Sequence, residues 1–137
     1  MDSKTEYANA VVKSRLLART DVELRHKIDA GKKRSLQYSS NWKSVNINEV
    51  VDKFAPNGKI DLVKGKLIFT SNDGRYEVVC DIGGSYLRIW DNTLNTYVGL
   101  NGEDLRNCKD TNGKTYGRNP AEREKLTHFR IKKRSEM

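Results

Sequence analysis

The sequence predicts an α+β fold, with N-terminal helices followed by a twisted antiparallel sheet of about five strands. Three observations carry this expectation. Apolar residues recur at helical spacing between Tyr7 and Ile28. From Lys66 onward the period changes to alternation. Tight-turn sequences, Asn72-Asp73-Gly74, Gly83-Gly84 and Asn92-Thr93-Leu94-Asn95, then interrupt the alternating segment at short intervals.

The elements follow in order. Tyr7, Ala10, Val11, Leu16 and Leu17 form an imperfect apolar stripe. Thr20 begins a capping box with Glu23, Leu24 and Ile28 continue the stripe, and Gly31 is the expected stop. The cluster Lys32-Lys33-Arg34 then reads as the solvated turn of a helical hairpin, or as a docking segment. A short helix is expected over 47–54, capped by Asn46 or Asn48, with Ile47, Val50, Val51 and Phe54 inward. Pro56-Asn57-Gly58 ends it. Strands are expected over 66–71, 76–82, 86–91 and 96–100, joined as a meander. A polar, Gly-rich loop covers about 101–118. Asn119 caps a single helical turn over 121–124, with Pro120 at its first position. A strand over 125–133 closes the sheet. Residues 1–58 thus read as a helical segment and 59–137 as a sheet core, within one compact domain.

Lys and Arg number 26 against 18 acidic residues, a net charge of +8. Such an excess speeds encounter with polyanions and supplies sequence-independent phosphate affinity. By itself it does not separate RNA from DNA, an anionic membrane or an acidic protein. No apolar run approaches the roughly 18 residues of a membrane-spanning helix. Met1-Asp2-Ser3-Lys4-Thr5-Glu6 lacks the basic start and apolar middle of a signal peptide, so export would need a larger carrier or another route. Cys80 and Cys108, with two histidines in the chain, match no zinc pattern. No cofactor is expected, and a Cys80–Cys108 disulfide is left open.

The stretch 127–132 alternates. His128, Arg130 and Lys132 share one face, while Thr127, Phe129 and Ile131 share the other. Metal-independent cleavage of RNA needs a base for the 2′-OH proton, an acid for the leaving oxygen, and cations for the charge that develops on phosphorus. His128 suits a proton role and Arg130 the charge role. The alternative for His128 is a structural histidine bonding its neighbours. His26, between Arg25 and Lys27, reads as a surface residue. Thr127 contributes only if a bulge or strand end re-aims it. Tyr86, Arg88 and Trp90 share a face, either a platform for bases and phosphate or a plain cation–π cluster. Lys114, Tyr116 and Arg118 sit on the Gly-rich loop, which either closes over a substrate or only turns.

The succession GKLIFTSNDGRYEVVCDIGGSYLRIWDNTLNTYVGLNGEDLRN, a polar loop and then NPAEREKLTHFRIK resembles the C-terminal toxin domains of bacterial polymorphic and contact-dependent inhibition systems. Within these it resembles the barnase/EndoU/colicin/RelE-like ribonuclease group. The resemblance covers about residue 59 to the C-terminus and rests on strand order, YLRIWD, the LNG turn and THFRI. It implies metal-independent cleavage of RNA, commonly tRNA, and a cognate immunity protein that blocks the site. It places the group's terminal-strand histidine on His128, and its hydroxyl and cation on Thr127 and Arg130. Lys66, Arg88, Lys114 and Tyr116 are further candidates by chemistry alone, with Tyr86, Trp90, Lys132 and Arg118 as RNA contacts.

The leading expectation is therefore an endoribonuclease toxin of bacterial competition. It would be monomeric, exported as the C-terminal part of a larger secreted or cell-surface protein, and active in the target-cell cytoplasm. Its partners would be tRNA and an acidic immunity protein. The alternatives are a non-catalytic nucleic-acid-binding module and a phage or mobile-element interaction protein.

Overall fold

Aspartates start both N-terminal helices. Asp2 accepts the Lys4 and Thr5 N–H groups at the head of α1 (Ser3–Leu17), and Asp21 accepts that of Leu24 at the head of α2 (Val22–Tyr38). The computed structural model describes residues 2–137. After α2 come a 3₁₀ turn (Ser39–Asn41), the short strand β1 (Lys43–Val45) and α3 (Ile47–Phe54), whose cap is Asn46. The strands β2 (Lys59–Val63), β3 (Lys66–Thr70), β4 (Tyr76–Asp81), β5 (Tyr86–Asp91) and β6 (Thr96–Val98) follow. A hairpin of β7 (Asn107–Lys109) and β8 (Thr115–Gly117) leads to α4 (Pro120–Thr127) and β9 (Phe129–Ile131). A last 3₁₀ turn covers Arg134–Glu136.

The fold is α+β, with a mostly antiparallel sheet. Its order is β1-β9-β5-β4-β3-β2, and only the β1–β9 pairing is parallel. The sheet splits along one side of β5. There β9 pairs with Tyr86 and Leu87, and β6 with Ile89, Trp90 and Asp91. Arg88 lies between the two.

Alternation sends Leu67, Phe69, Val78, Cys80, Leu87, Ile89, Phe129 and Ile131 to one face. They pack against Ile47, Val50, Val51 and Phe54 of α3 and Tyr7 and Ala10 of α1. Burying a large apolar side chain contributes roughly 1.5–3 kcal/mol, so this face holds the sheet together. The helical segment is thus built into the same core as residues 59–137. The Tyr7 hydroxyl also donates to the Asp81 carbonyl at 2.6 Å.

Several expectations need correction. Leu16 and Leu17 are 54% and 49% exposed, because α1 turns Ser3, Tyr7, Ala10 and Ser14 inward instead. Gly31 does not stop α2, and Lys32, Lys33 and Arg34 are helical. The glycine serves packing: a Cβ at Gly31 would overlap the Asp81 carboxylate, and one at Gly83 the Ile28 carbonyl. Together the two glycines let α2 lie directly on the β4–β5 turn. β1 and β2 enlarge the sheet beyond the expected strands. The loop over 101–118 contains the β7–β8 hairpin. The single turn over 121–124 is the longer helix α4, and β9 is correspondingly short. Thr127 ends the helix, its hydroxyl donating to the Arg123 carbonyl at 2.7 Å. His128 is therefore a helix–strand junction and not a mid-strand residue. Cys80 and Cys108 are free thiols, the first buried in the core, where loss of solvent pushes its pKa up. Among the described residues, no helix is long and apolar enough to cross a membrane.

Candidate functional site

The second face of the sheet is polar. Strand register places Lys66 beside Asp81, Val79 beside Arg88, Trp90 beside Tyr97 and Tyr86 beside Arg130 on it. α2 covers one end. There the Arg34 guanidinium donates to the Tyr86 hydroxyl at 3.2 Å.

His128 is clamped on this face. Its ring stacks on Trp42, with centroids 5.1 Å apart and planes 21° from parallel, and touches Tyr86 at 5.3 Å. Trp42 is itself fixed by its indole N–H, which donates to Glu124 Oε1 at 3.2 Å. His128 Nδ1 lies 2.8 Å from the Glu124 carbonyl oxygen. A carbonyl only accepts, so Nδ1 carries the proton and Nε2 the lone pair. Among the described residues Nε2 has no hydrogen-bond partner; it is not wholly sealed from solvent, although the side chain as a whole is buried. Burial pushes the His128 pKa down to about 4, helped by the charges of Arg88 and Arg34 and opposed by the Glu124 carbonyl. The side chain is neutral at neutral pH.

Arg88 stands beside this clamp. Its guanidinium lies 4.0 Å over the Tyr97 ring, and Trp90 meets the same ring edge-on at 4.9 Å. Among the described residues, Arg88, Arg34 and Lys66 form no ion pair. Burial lowers the Lys66 pKa, and the charge of Arg88 adds to this. Burial raises that of Asp81, against the Gly84 N–H and the Lys66 charge. The face therefore combines cations without ion pairs, an imidazole lone pair without a hydrogen-bond partner and an aromatic platform.

The structure brings His128, Arg88, Trp90, Tyr86 and Lys66 to this one face. Arg130 shares the face but is already engaged, and the others are engaged elsewhere. Arg130 forms a two-pronged pair with Glu136 at 2.7 and 3.2 Å and donates to Ser44 Oγ at 2.8 Å, so its guanidinium is occupied. In return Arg130 holds Glu136 down at about 2. Thr127 is buried, its hydroxyl 3.3 Å from His128 Nδ1 and spent on Arg123. Lys132 lines a groove beside β1. Lys114 and Tyr116 sit on the exposed β7–β8 hairpin, and Arg118 braces that hairpin by donating to the Leu105 and Asn107 carbonyls.

Trp42, Asp81 and Tyr97 belong to the face and were not anticipated, and Arg34, read from the sequence only as part of a basic turn or docking segment, joins them. One signal was present: Lys27, Gly31 and Arg34 follow helical spacing, visible once Gly31 is read as a helix-interior contact. Trp42 has no local signature. No protein-family model, curated protein or solved structure matches the chain.

Proposed function

We propose that the protein is a metal-independent endoribonuclease working on the polar face of its sheet. One observation carries this reading: a histidine clamped in a single tautomer, its Nε2 lone pair without a hydrogen-bond partner among the described residues, beside an arginine with no ion pair. In the proposed reaction His128 Nε2 takes the proton of a 2′-OH, which attacks the adjacent phosphorus. Arg88 and Arg34 stabilise the charge on the phosphorane oxygens. Lys66, made more acidic by burial, returns a proton to the leaving 5′-oxygen. Trp90 and Tyr97 offer rings on which unpaired bases stack. The net charge of +8 favours capture of RNA. The resemblance to toxin domains supports a biological role: a toxin of bacterial competition, exported in a larger protein, cleaving tRNA in the target cytoplasm and neutralised by an acidic immunity protein.

A second reading, a non-catalytic RNA-binding module, is favoured by the 6% exposure of His128. Total RNA incubated with the protein in EDTA separates the two. Discrete fragments support the nuclease, and intact RNA in a shifted gel band supports the binder. The pH profile is a further check. Because the free-enzyme His128 pKa is about 4, kcat/KM is expected to lose activity only as pH falls toward that value. In kcat the acid limb moves upward, since a bound phosphodiester favours the imidazolium. A kcat/KM limb near the reference value of about 6.5 means a different, solvent-exposed base.

A further inference from the structure

We infer that the open edge of β1 is a docking site for an extended acidic segment of a partner protein, which joins the sheet as an additional strand. β1 is the last strand and pairs only with β9. The Val45 carbonyl accepts the Lys132 N–H, so in this parallel ladder Lys43 and Val45 direct their backbone groups to β9. The N–H and C=O of the intervening Ser44 therefore point outward, ready for another strand.

A groove of about 400 Å³ runs along that edge. Val45, Phe54 and Leu100 supply apolar lining, and Lys43, Lys53 and Lys132 supply charge against the single carboxylate of Glu49. None of the three lysines has an ion pair among the described residues. Lys53 is held in place by donating to Asn101 Oδ1 at 3.0 Å. An added strand turns every second side chain into the groove, where Lys43 and Val45 share one face of β1, so acidic side chains in that set meet the lysines. The lysines also decide between occupants. A second copy of this chain would bring its own Lys43 against them, whereas acidic side chains are attracted. Since α3 forms one wall, the groove is distinct from the His128 face.

The test uses the full chain, backbone-amide NMR and two synthetic peptides. One alternates glutamate with valine, and the other has lysine for glutamate. The acidic peptide is expected to shift the Ser44 amide and to bind about tenfold or more tightly than the lysine peptide. The rim variant Lys43→Glu/Lys53→Glu/Lys132→Glu leaves the core untouched and is expected to reverse that preference. Equal binding of both peptides overturns the proposal. So does unchanged acidic binding by the variant, shifts confined to Arg88 and Trp90, or self-association through Ser44. None of these outcomes bears on RNA cleavage.

Discussion

Replacing His128 with asparagine is expected to keep the fold and to cut RNA cleavage by about 10²–10⁴-fold, the range for losing a positioned general base. Asparagine is the informative choice. Its amide N–H can take over the bond that Nδ1 makes to the Glu124 carbonyl, while the Nε2 lone pair disappears. Alanine would instead leave a cavity between Trp42 and Tyr86 and mix unfolding with lost chemistry. Binding of RNA by the asparagine variant is expected to stay close to wild type, because Arg88, Arg34 and Lys66 remain. Cleavage undiminished in this variant removes His128 from the reaction.

The same variant has a stability signature. The folded pKa of His128 is about 4, below its unfolded value near 6.5. Between these values the unfolded chain binds a proton that the folded chain does not. The contribution is therefore fully present above about pH 6.5 and lost as pH falls toward 4, on the order of 3 kcal/mol in all. Urea titrations across that window are expected to fall more steeply for wild type than for His128→Asn.

The largest stability effect is expected at Asp91. Its side chain is fully buried and accepts from Arg75 Nε and Nη2 and from the Thr93 and Leu94 N–H groups. Burial alone would raise its pKa, but the Arg75, Leu94 and Thr93 donors together outweigh it and hold the carboxyl below its usual range. Asp91→Ala strands the two turn N–H groups and releases Arg75. A loss of about 2–4 kcal/mol is expected, discounted because Arg75 is partly exposed. The turn after β5 leads into β6, which carries Tyr97 beneath Arg88, so RNA affinity is expected to drop with stability. Denaturant unfolding monitored by tryptophan fluorescence checks the first effect and gel shift the second. A change within about 0.5 kcal/mol contradicts this account of the turn.

Local chemistry was legible in the sequence where a turn or cap states its own geometry. Gly74 and Asn95 adopt the positive φ their turns need, Asn46 and Asn119 cap their helices, and Phe129 and Ile131 face the core as alternation predicts. Long-range contacts were not legible. β1 is a strand only because β9, far along the chain, lies beside it. Trp42 buries His128 for the same reason. Alternation through 127–132 put His128 in mid-strand beside Arg130 and Lys132, whereas α4 continues to Thr127 and folds His128 under Trp42. Arg130 does not serve as a free cation of the face, because Glu136 lies six residues beyond it and neutralises it, whereas Arg88 has no ion pair among the described residues.

The central claim is that a 2′-OH, activated by His128, breaks the phosphodiester. Mapping the 3′ ends of tRNA fragments made in EDTA tests it most directly. The account predicts 2′,3′-cyclic phosphate ends with the wild-type chain and about 10²–10⁴-fold fewer with His128→Asn. Fragments ending in 3′-hydroxyl, or tRNA that stays intact while bound to the wild-type chain, contradict it.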